Sequence, residues 1–231
     1  MIQQRLVVYS GGMDSFTLLH HVLRLRGPSI IRTIGFDYGQ RHRRELDVAA
    51  KVCDFLGIER IVVNLTSLRP LLSASALTNP DMLMPEGHYE AASMSQTVVP
   101  GRNTIMLSIA MGVAESALGE DDVATVYYGA HSGDHHIYPD CRPKFYDSMR
   151  KVFADATEGR VGLEAPFLWG SKTTILRAGQ KMGLDYGKTY TCYAGGELAC
   201  GKCGSCQERL AAFSEIGATD PLDYQSREIF K

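Results

Sequence analysis

Ser10-Gly11-Gly12-Met13-Asp14-Ser15 lies between two segments of different periodicity. Before it, Leu6-Val7-Val8-Tyr9 is an apolar, largely β-branched run that predicts a strand. After it, Phe16, Leu19, Val22 and Leu23 fall on one face of a helix. A small-residue turn between strand and helix collects unpaired N–H donors at the positive end of the helix dipole, which makes it an anion site. The paired glycines let backbone approach a phosphate with no Cβ in the way. Ser10 and Ser15 add hydroxyls. Asp14 would repel phosphate, so it either caps the helix or helps hold Mg²⁺. The competing reading is an ordinary βα turn capped by Ser or Asp. The spacing fits neither G-x-x-x-x-G-K-[ST] nor G-x-G-x-x-G.

Outward from this turn, elements alternate. A helix ends at Gly27-Pro28, and Ile30 to Phe36 reads as a strand. A second helix spans Glu45 to Leu56, with Cys53 as a small buried side chain, and Arg60 to Leu65 is a third strand. β-α-β-α-β alternation predicts an α/β fold: a doubly wound, parallel, Rossmann-like sheet with ligands at the carboxyl ends of its strands. Asp37, just past the second strand, is placed either for a ribose hydroxyl or as a turn residue. Thr66 to Pro100 loses periodicity and reads as a functional loop or lid. His88 and Tyr89 lie in it, and a lone loop histidine is commonly solvated.

Arg102 opens an apolar helix running to Gly119, which reads as a buried central helix. A cation there opposes the dipole, which makes sense beside a bound anion such as ATP phosphate. Val123 to Gly129 is the fourth strand. It leads into a polar loop, 131–142, holding His131, Asp134, His135, His136, Tyr138, Asp140 and Cys141. Substrate contacts, a second metal site and a solvated loop all remain open for it. Nothing local activates Cys141 as a nucleophile. An amphipathic helix spans Lys144 to Thr157, and Glu164 to Trp169 is apolar and partly extended. Ser171 caps a last periodic helix, and Lys172 in its first turn again suits a phosphate.

The 231 residues are 45% hydrophobic and 22% charged, ordinary for a globular protein. No apolar run reaches the roughly 20 residues of a membrane span, and no signal-peptide pattern opens the chain, so the expected location is cytoplasmic, with no membrane partner. A net charge of −2 supplies no global field for nucleic acid. Four of the six cysteines form C-x7-C-x2-C-x2-C: Cys192, Cys200, Cys203 and Cys206. In a cytoplasmic chain this predicts metal, with structural Zn²⁺ ahead of an iron–sulfur cluster or a redox pair. The expected organisation is a catalytic domain, residues 1–190, and a small C-terminal zinc-bound helical extension, residues 191–231, packed on it as one unit.

The hexapeptide resembles the S-G-G-x-D-S loop of the N-type ATP pyrophosphatases, the PP-loop superfamily, whose fold is adenine nucleotide alpha hydrolase-like. Phe36-Asp37-Tyr38-Gly39-Gln40-Arg41-His42, Pro100-Gly101-Arg102-Asn103, Tyr138-Pro139-Asp140-Cys141-Arg142 and Thr191-Cys192-Tyr193 with the three later cysteines narrow the likeness. Together they resemble the 7-cyano-7-deazaguanine (preQ0) synthase family from residue 6 to about 215. The weakest part is Thr66–Val99, and Ala218–Lys231 carry no matching motif.

That resemblance implies a ligase of queuosine-type 7-deazaguanine biosynthesis. It would join 7-carboxy-7-deazaguanine and ammonia, using ATP and Mg²⁺ and releasing AMP and pyrophosphate. It implies ATP binding by Tyr9, Ser10, Gly11, Gly12, Met13, Asp14, Ser15, Phe16, Thr17, Leu18, Leu19 and Asp37. Asp14, Arg102 and Lys172 would be catalytic. His131, Asp134, Tyr138 and Asp140 would meet the base, and a loop histidine could take a proton from ammonium. One structural zinc would sit on the four cysteines. The apolar excess in the 103–119 helix and in Phe167–Trp169 allows a homodimer. Two alternatives stand beside this. A PP-loop tRNA sulfur transferase needs a free persulfide thiol and a basic surface, which four committed cysteines and the net charge disfavour. A non-catalytic ATP sensor would bind ATP without releasing pyrophosphate.

Overall fold

The computed structural model describes residues 3–27, 29–87 and 92–230. Pro28, His88 and Tyr89 lie outside the described residues. Five parallel strands form one sheet in the order β3-β2-β1-β4-β5: β1 (Gln3–Val8), β2 (Ser29–Asp37), β3 (Glu59–Asn64), β4 (Val123–Tyr127) and β5 (Val161–Glu164). In register, Val7 pairs with Thr33 on one side and Tyr127 on the other. The chain winds outward from β1 through β2 and β3, then returns to β1's other edge with β4. That reversal opens a crevice at the carboxyl ends of the strands.

Successive strand residues face opposite layers, so neighbours in β1 serve different cores. Leu6 packs with Leu107, Ala110 and Ala114 of α3 (Arg102–Glu115) and with Met149 and Phe153 of α4 (Pro143–Ala156). Val7 packs with Phe16 and Leu19 of α1 (Met13–Leu23) and with Ala49 and Val52 of α2 (Arg44–Leu56). Ile175 and Leu176 of α5 (Lys172–Lys181) and Phe213 of α6 (Gly204–Glu215) complete that layer. Each such fully buried aliphatic side chain stabilises the fold by about 1.5–3 kcal/mol.

Three expectations are corrected. The helix from Arg102 is not buried all round: Met106, Leu107, Ala110 and Ala114 are buried, while Thr104, Ser108 and Gly112 are exposed. It covers one sheet face and keeps a solvent side. The described part of the 66–100 stretch is built into the fold rather than left without regular structure. It carries 3₁₀ turns at Thr66–Leu72 and Ala92–Thr97, and Leu77 and Val99 join the core. Arg41 holds it in place, its guanidinium donating to the carbonyls of Asn79, Pro80 and Met82. A fifth strand, β5, stands just before the segment read as partly extended. At four residues it is too short for a periodicity signal, and Val161 and Leu163 alone turn inward.

The C-terminal tail is fastened by Arg209 of α6, which is fully buried. Its guanidinium grips Asp220 through Nε at 2.7 Å and Nη2 at 2.8 Å, and also donates to Thr189 Oγ1, Thr191 Oγ1 and the Tyr186 carbonyl.

Candidate active site and metal centre

The Ser10–Ser15 turn sits at the carboxyl end of β1 and opens directly into α1. Hydroxyls hold its shape: Ser10 Oγ and Ser15 Oγ are 3.1 Å apart, Gly12 N donates to Ser10 Oγ, and Ser15 Oγ donates to the Gly12 carbonyl. Gly11 has φ +96°, and a Cβ there would meet the Glu45 carbonyl oxygen at 2.3 Å. Glycine is thus what lets α2 close against the turn. No side chain caps α1. Asp14, in its first turn, is not the cap but an ion-pair partner.

A cavity of about 230 Å³ runs along this sheet edge, lined by the ends of β1, β2 and β4 and by α2, α3, α5 and α6. One half is charged. Lys172 Nζ stands 2.6 Å from Asp14 Oδ2 and 3.1 Å from Glu208 Oε2. His131 Nε2 lies 3.7 Å from Asp14 Oδ2 and 3.5 Å from Asp134 Oδ2, while His131 Nδ1 accepts from Gly133 N. Burial works against the Asp14 carboxylate, but Lys172 and His131 hold it below the ordinary range. Burial likewise opposes the Lys172 charge, and Asp14 and Glu208 override it and keep the amine protonated. Asp14 Oδ1 is buried with no hydrogen-bond partner among the described residues, so a carboxylate oxygen remains for a hard cation beside the turn.

The other half is aromatic. Arg102 Nη1 donates to Tyr38 Oη at 3.5 Å, and the guanidinium lies 5.8 Å from the Tyr138 ring centroid. Tyr38 Oη is 3.4 Å from His42 Nε2, which is 3.4 Å from Glu45 Oε1. Tyr193 closes the group, 3.4 Å from Tyr138 Oη through its own hydroxyl. Burial drives His42 down to about 3 and Glu45 up to about 8.

The structure brings Tyr9, Ser10, Gly12, Asp14, Ser15, Arg102, Asp134, Tyr138 and Lys172 to this cavity. His131 stands just behind it, buried against Asp14. Others are placed elsewhere. Met13, Phe16, Thr17, Leu18 and Leu19 lie on the buried side of α1. Asp37 does not line the cavity: its Oδ1 accepts from Gly39 N and its Oδ2 pairs with Arg43 Nε at 3.0 Å, which is the turn reading. Asp140 also stays outside, because its Oδ2 accepts from Asn103 N at 3.0 Å and so answers the start of α3. Cys141 lines the cavity as an inert thiol, pushed up by burial. Glu45, His42, Tyr38, Tyr193 and Glu208 reach the cavity without having been singled out as site residues. Tyr38 and His42 stood inside a recognised stretch. Glu208 sits within an unremarkable helical run and carries no local signal.

The four cysteines converge: the Sγ atoms of Cys192, Cys200, Cys203 and Cys206 all lie within 4.8 Å of one another. Cys200 N donates to Cys192 Sγ at 3.2 Å, and Lys202 N and Cys203 N donate to Cys200 Sγ at 3.3 Å. Amide donors aimed at sulfur suit thiolates that share a cation. The donor set therefore fits a bound metal. Among the described residues this is the one group of three or more such side chains with its ligand atoms already gathered. Glu86 pairs with Cys203 across an antiparallel bridge, tying the 66–100 stretch to the metal knuckle.

The family model for queuosine biosynthesis protein QueC matches residues 4–217. A 7-cyano-7-deazaguanine synthase from Alteromonas mediterranea is 54% identical over 97% of this chain and 100% of its own length. One from Pseudoalteromonas atlantica is 50% identical over the same shares. Among solved structures, a predicted subunit of a tRNA methyltransferase from Methanocaldococcus jannaschii aligns with 95% of this chain and 90% of its own at 13% identity and a TM-score of 0.49, a likeness that bears no weight here. With the loop, the sheet order and the cysteine knuckle in place, these matches make the chain a member of the QueC family of queuosine biosynthesis proteins.

Proposed function

We propose that this chain is an ATP-dependent ligase that converts 7-carboxy-7-deazaguanine and ammonia to 7-cyano-7-deazaguanine. The observation that carries the reading is the two-part cavity, in which a phosphate-type turn and a cationic, tyrosine-lined cage share one space. The names of the relatives agree with it. The substrate carboxylate attacks the α-phosphorus of ATP, and pyrophosphate leaves. Ammonia then adds to the acyl carbon, and AMP leaves to give the amide. In a second round the amide oxygen attacks the α-phosphorus of another ATP, pyrophosphate leaves again, and loss of AMP and protons yields the nitrile.

The residues divide the work. The Ser10–Ser15 turn holds the departing pyrophosphate, since fixed donors stabilise charge as it develops. Lys172, pre-positioned by Asp14, adds positive charge there. Asp14, through its unpartnered oxygen, would hold Mg²⁺, which supplies charge neutralisation on the phosphates. Arg102 offers its charge to the anionic groups of the two substrates where they meet. Tyr138 lines the base side, while His131, its Nδ1 taken by Gly133 N, turns Nε2 toward Asp14 and Asp134 and orients their carboxylates, which leaves a proton from ammonium to another histidine of the 131–142 loop.

For the cysteine centre we favour one zinc per chain. Sulfurs on a single tetrahedral zinc stand about 3.8 Å apart at Zn–S lengths of about 2.3 Å, and Cys200 and Cys206 are 4.0 Å apart. Thiolates on four separate irons must spread farther. Residues 1–190 would form the catalytic domain and 191–231 an extension continuous with it, a reading supported by the bonds of Arg209 to Thr189 and Thr191. A cytoplasmic homodimer is the expected form. Trp169, 78% exposed, and the half-buried Ile105 and Ile109 of α3 support such an interface.

The test is a product assay with ATP, Mg²⁺, ammonium and 7-carboxy-7-deazaguanine, read by mass spectrometry. Nitrile with two AMP formed supports the reading. AMP and pyrophosphate without nitrile would move the acceptor to another substrate, such as a tRNA base. ATP binding without AMP would favour a sensor.

A further inference from the structure

The aromatic half of the cavity contains a carboxyl group that adenylation does not use. Glu45 lies in the first turn of α2, and its backbone carbonyl is wedged against Gly11 of the phosphate turn. Its position relative to the reacting phosphates is therefore fixed. Its Oε1 is held by Gln40 Nε2 at 3.2 Å and by His42 Nε2 at 3.4 Å, so the carboxyl plane is preset. Around it stand Tyr38, Phe36, Tyr138 and Tyr193, surfaces that suit a flat heterocycle.

Resting on the ligase reading above, we propose that Glu45 reads the 2-amino-4-oxopyrimidine edge of the base, accepting from its ring N–H and its exocyclic amine. Two adjacent donors match the two oxygens of one carboxylate, the reverse of an arginine fork. In its ionised form, which two N–H donors from the ligand favour, the same group turns the adenine of ATP away. Adenine presents a ring acceptor beside its amine, and that lone pair would face the carboxylate. One side chain thus sorts two purine-like substrates into the two halves of one cavity. Gln40 and His42 both reach Oε1, which leaves Oε2 as the oxygen open to a ligand, and burial raises the carboxyl's affinity for a proton. A ligand edge with two N–H groups would favour the charged form instead.

The experiment compares 7-carboxy-7-deazaguanine with its analogue lacking the 2-amino group, in wild type and in Glu45→Gln. Calorimetric binding without ATP and steady-state kinetics with ATP are both measured. Wild type is expected to favour the 2-amino base by about 10- to 100-fold, the range for a hydrogen bond to a charged group. Glu45→Gln should cut that preference to a few-fold and raise KM for the base, while KM for ATP stays put. Glu45→Asp keeps the charge and should retain more of the preference than Gln, whereas a merely structural role would leave the ratio unmoved in both. An unchanged preference in Glu45→Gln, or a raised ATP KM with the base KM intact, overturns the assignment. If wild type makes no nitrile yet binds the 2-amino base selectively and Glu45→Gln loses that selectivity, the reaction reading falls and the role of Glu45 stands.

Discussion

Lys172 Nζ and Asp14 Oδ2 are 2.6 Å apart and join the first turn of α5 to the first turn of α1. Each helix start would by itself attract an anion. Asp14 satisfies part of that attraction, and Lys172 keeps the pair near neutral until a triphosphate arrives. The pair stabilises the folded site, and in the proposed reaction it would supply the cation.

Replacing Lys172 with Ala should lower the rate of AMP formation about 100- to 1,000-fold, the scale on which removing a fixed stabilising donor acts. Pyrophosphate release in single-turnover experiments measures it. A loss confined to KM for ATP would mean that Lys172 only binds ground-state phosphate.

Asp220→Asn should destabilise the protein without touching the cavity. It leaves Arg209, wholly buried, facing a neutral amide. Breaking a buried ion pair costs about 3–5 kcal/mol. Urea unfolding should show a lower midpoint. An unchanged midpoint would mean that water reaches Arg209.

Glu45 gives a pH signature. Its folded value of about 8 lies above the ordinary 4.5, so the native state binds an extra proton in between. Its contribution to stability is complete below about pH 4.5 and is lost as pH rises through 8, at up to about 1.4 kcal/mol per pH unit. His42, driven down to about 3, acts oppositely: its contribution is lost as pH falls below 6.5 toward 3. The two oppose each other between 4.5 and 6.5, which leaves 6.5 to 8 as the clear window. Denaturant melts of the empty protein should weaken across that window in wild type and flatten in Glu45→Gln.

Gly11→Ala tests the close approach of α2. The new Cβ would strike the Glu45 carbonyl, and φ +96° already penalises a side chain. Lower thermal stability and weaker ATP binding are expected together. A gain in stability would show that α2 can move away.

Metal content is the remaining check. Plasma emission analysis of the purified chain should find about one zinc and no stoichiometric iron. Chelation should lower the melting temperature, because Cys203 is the N-cap of α6 and Cys206 lies in its first turn. Iron in fourfold excess over chains would replace the zinc reading with a cluster.

The sequence alone determined what is local or periodic. The phosphate turn, the first four strands, the Ser171 cap and the cysteine knuckle are written in adjacent residues or in repeating burial, and each is where its pattern put it. Only the tertiary structure decided which side chains share the cavity. Glu208 arrives from α6 next to Lys172, while Asp37 and Asp140, acidic and well placed along the chain, spend their oxygens on Arg43, Gly39 and Asn103. The physical reason is that hydrogen-bond capacity is limited. A carboxylate taken up by a nearby backbone N–H or guanidinium has less left for a ligand, and which partner claims it depends on contacts distant in the chain. The same holds for the 66–100 stretch: its core role depends on Arg41 and the underlying sheet, which no window of its own residues contains.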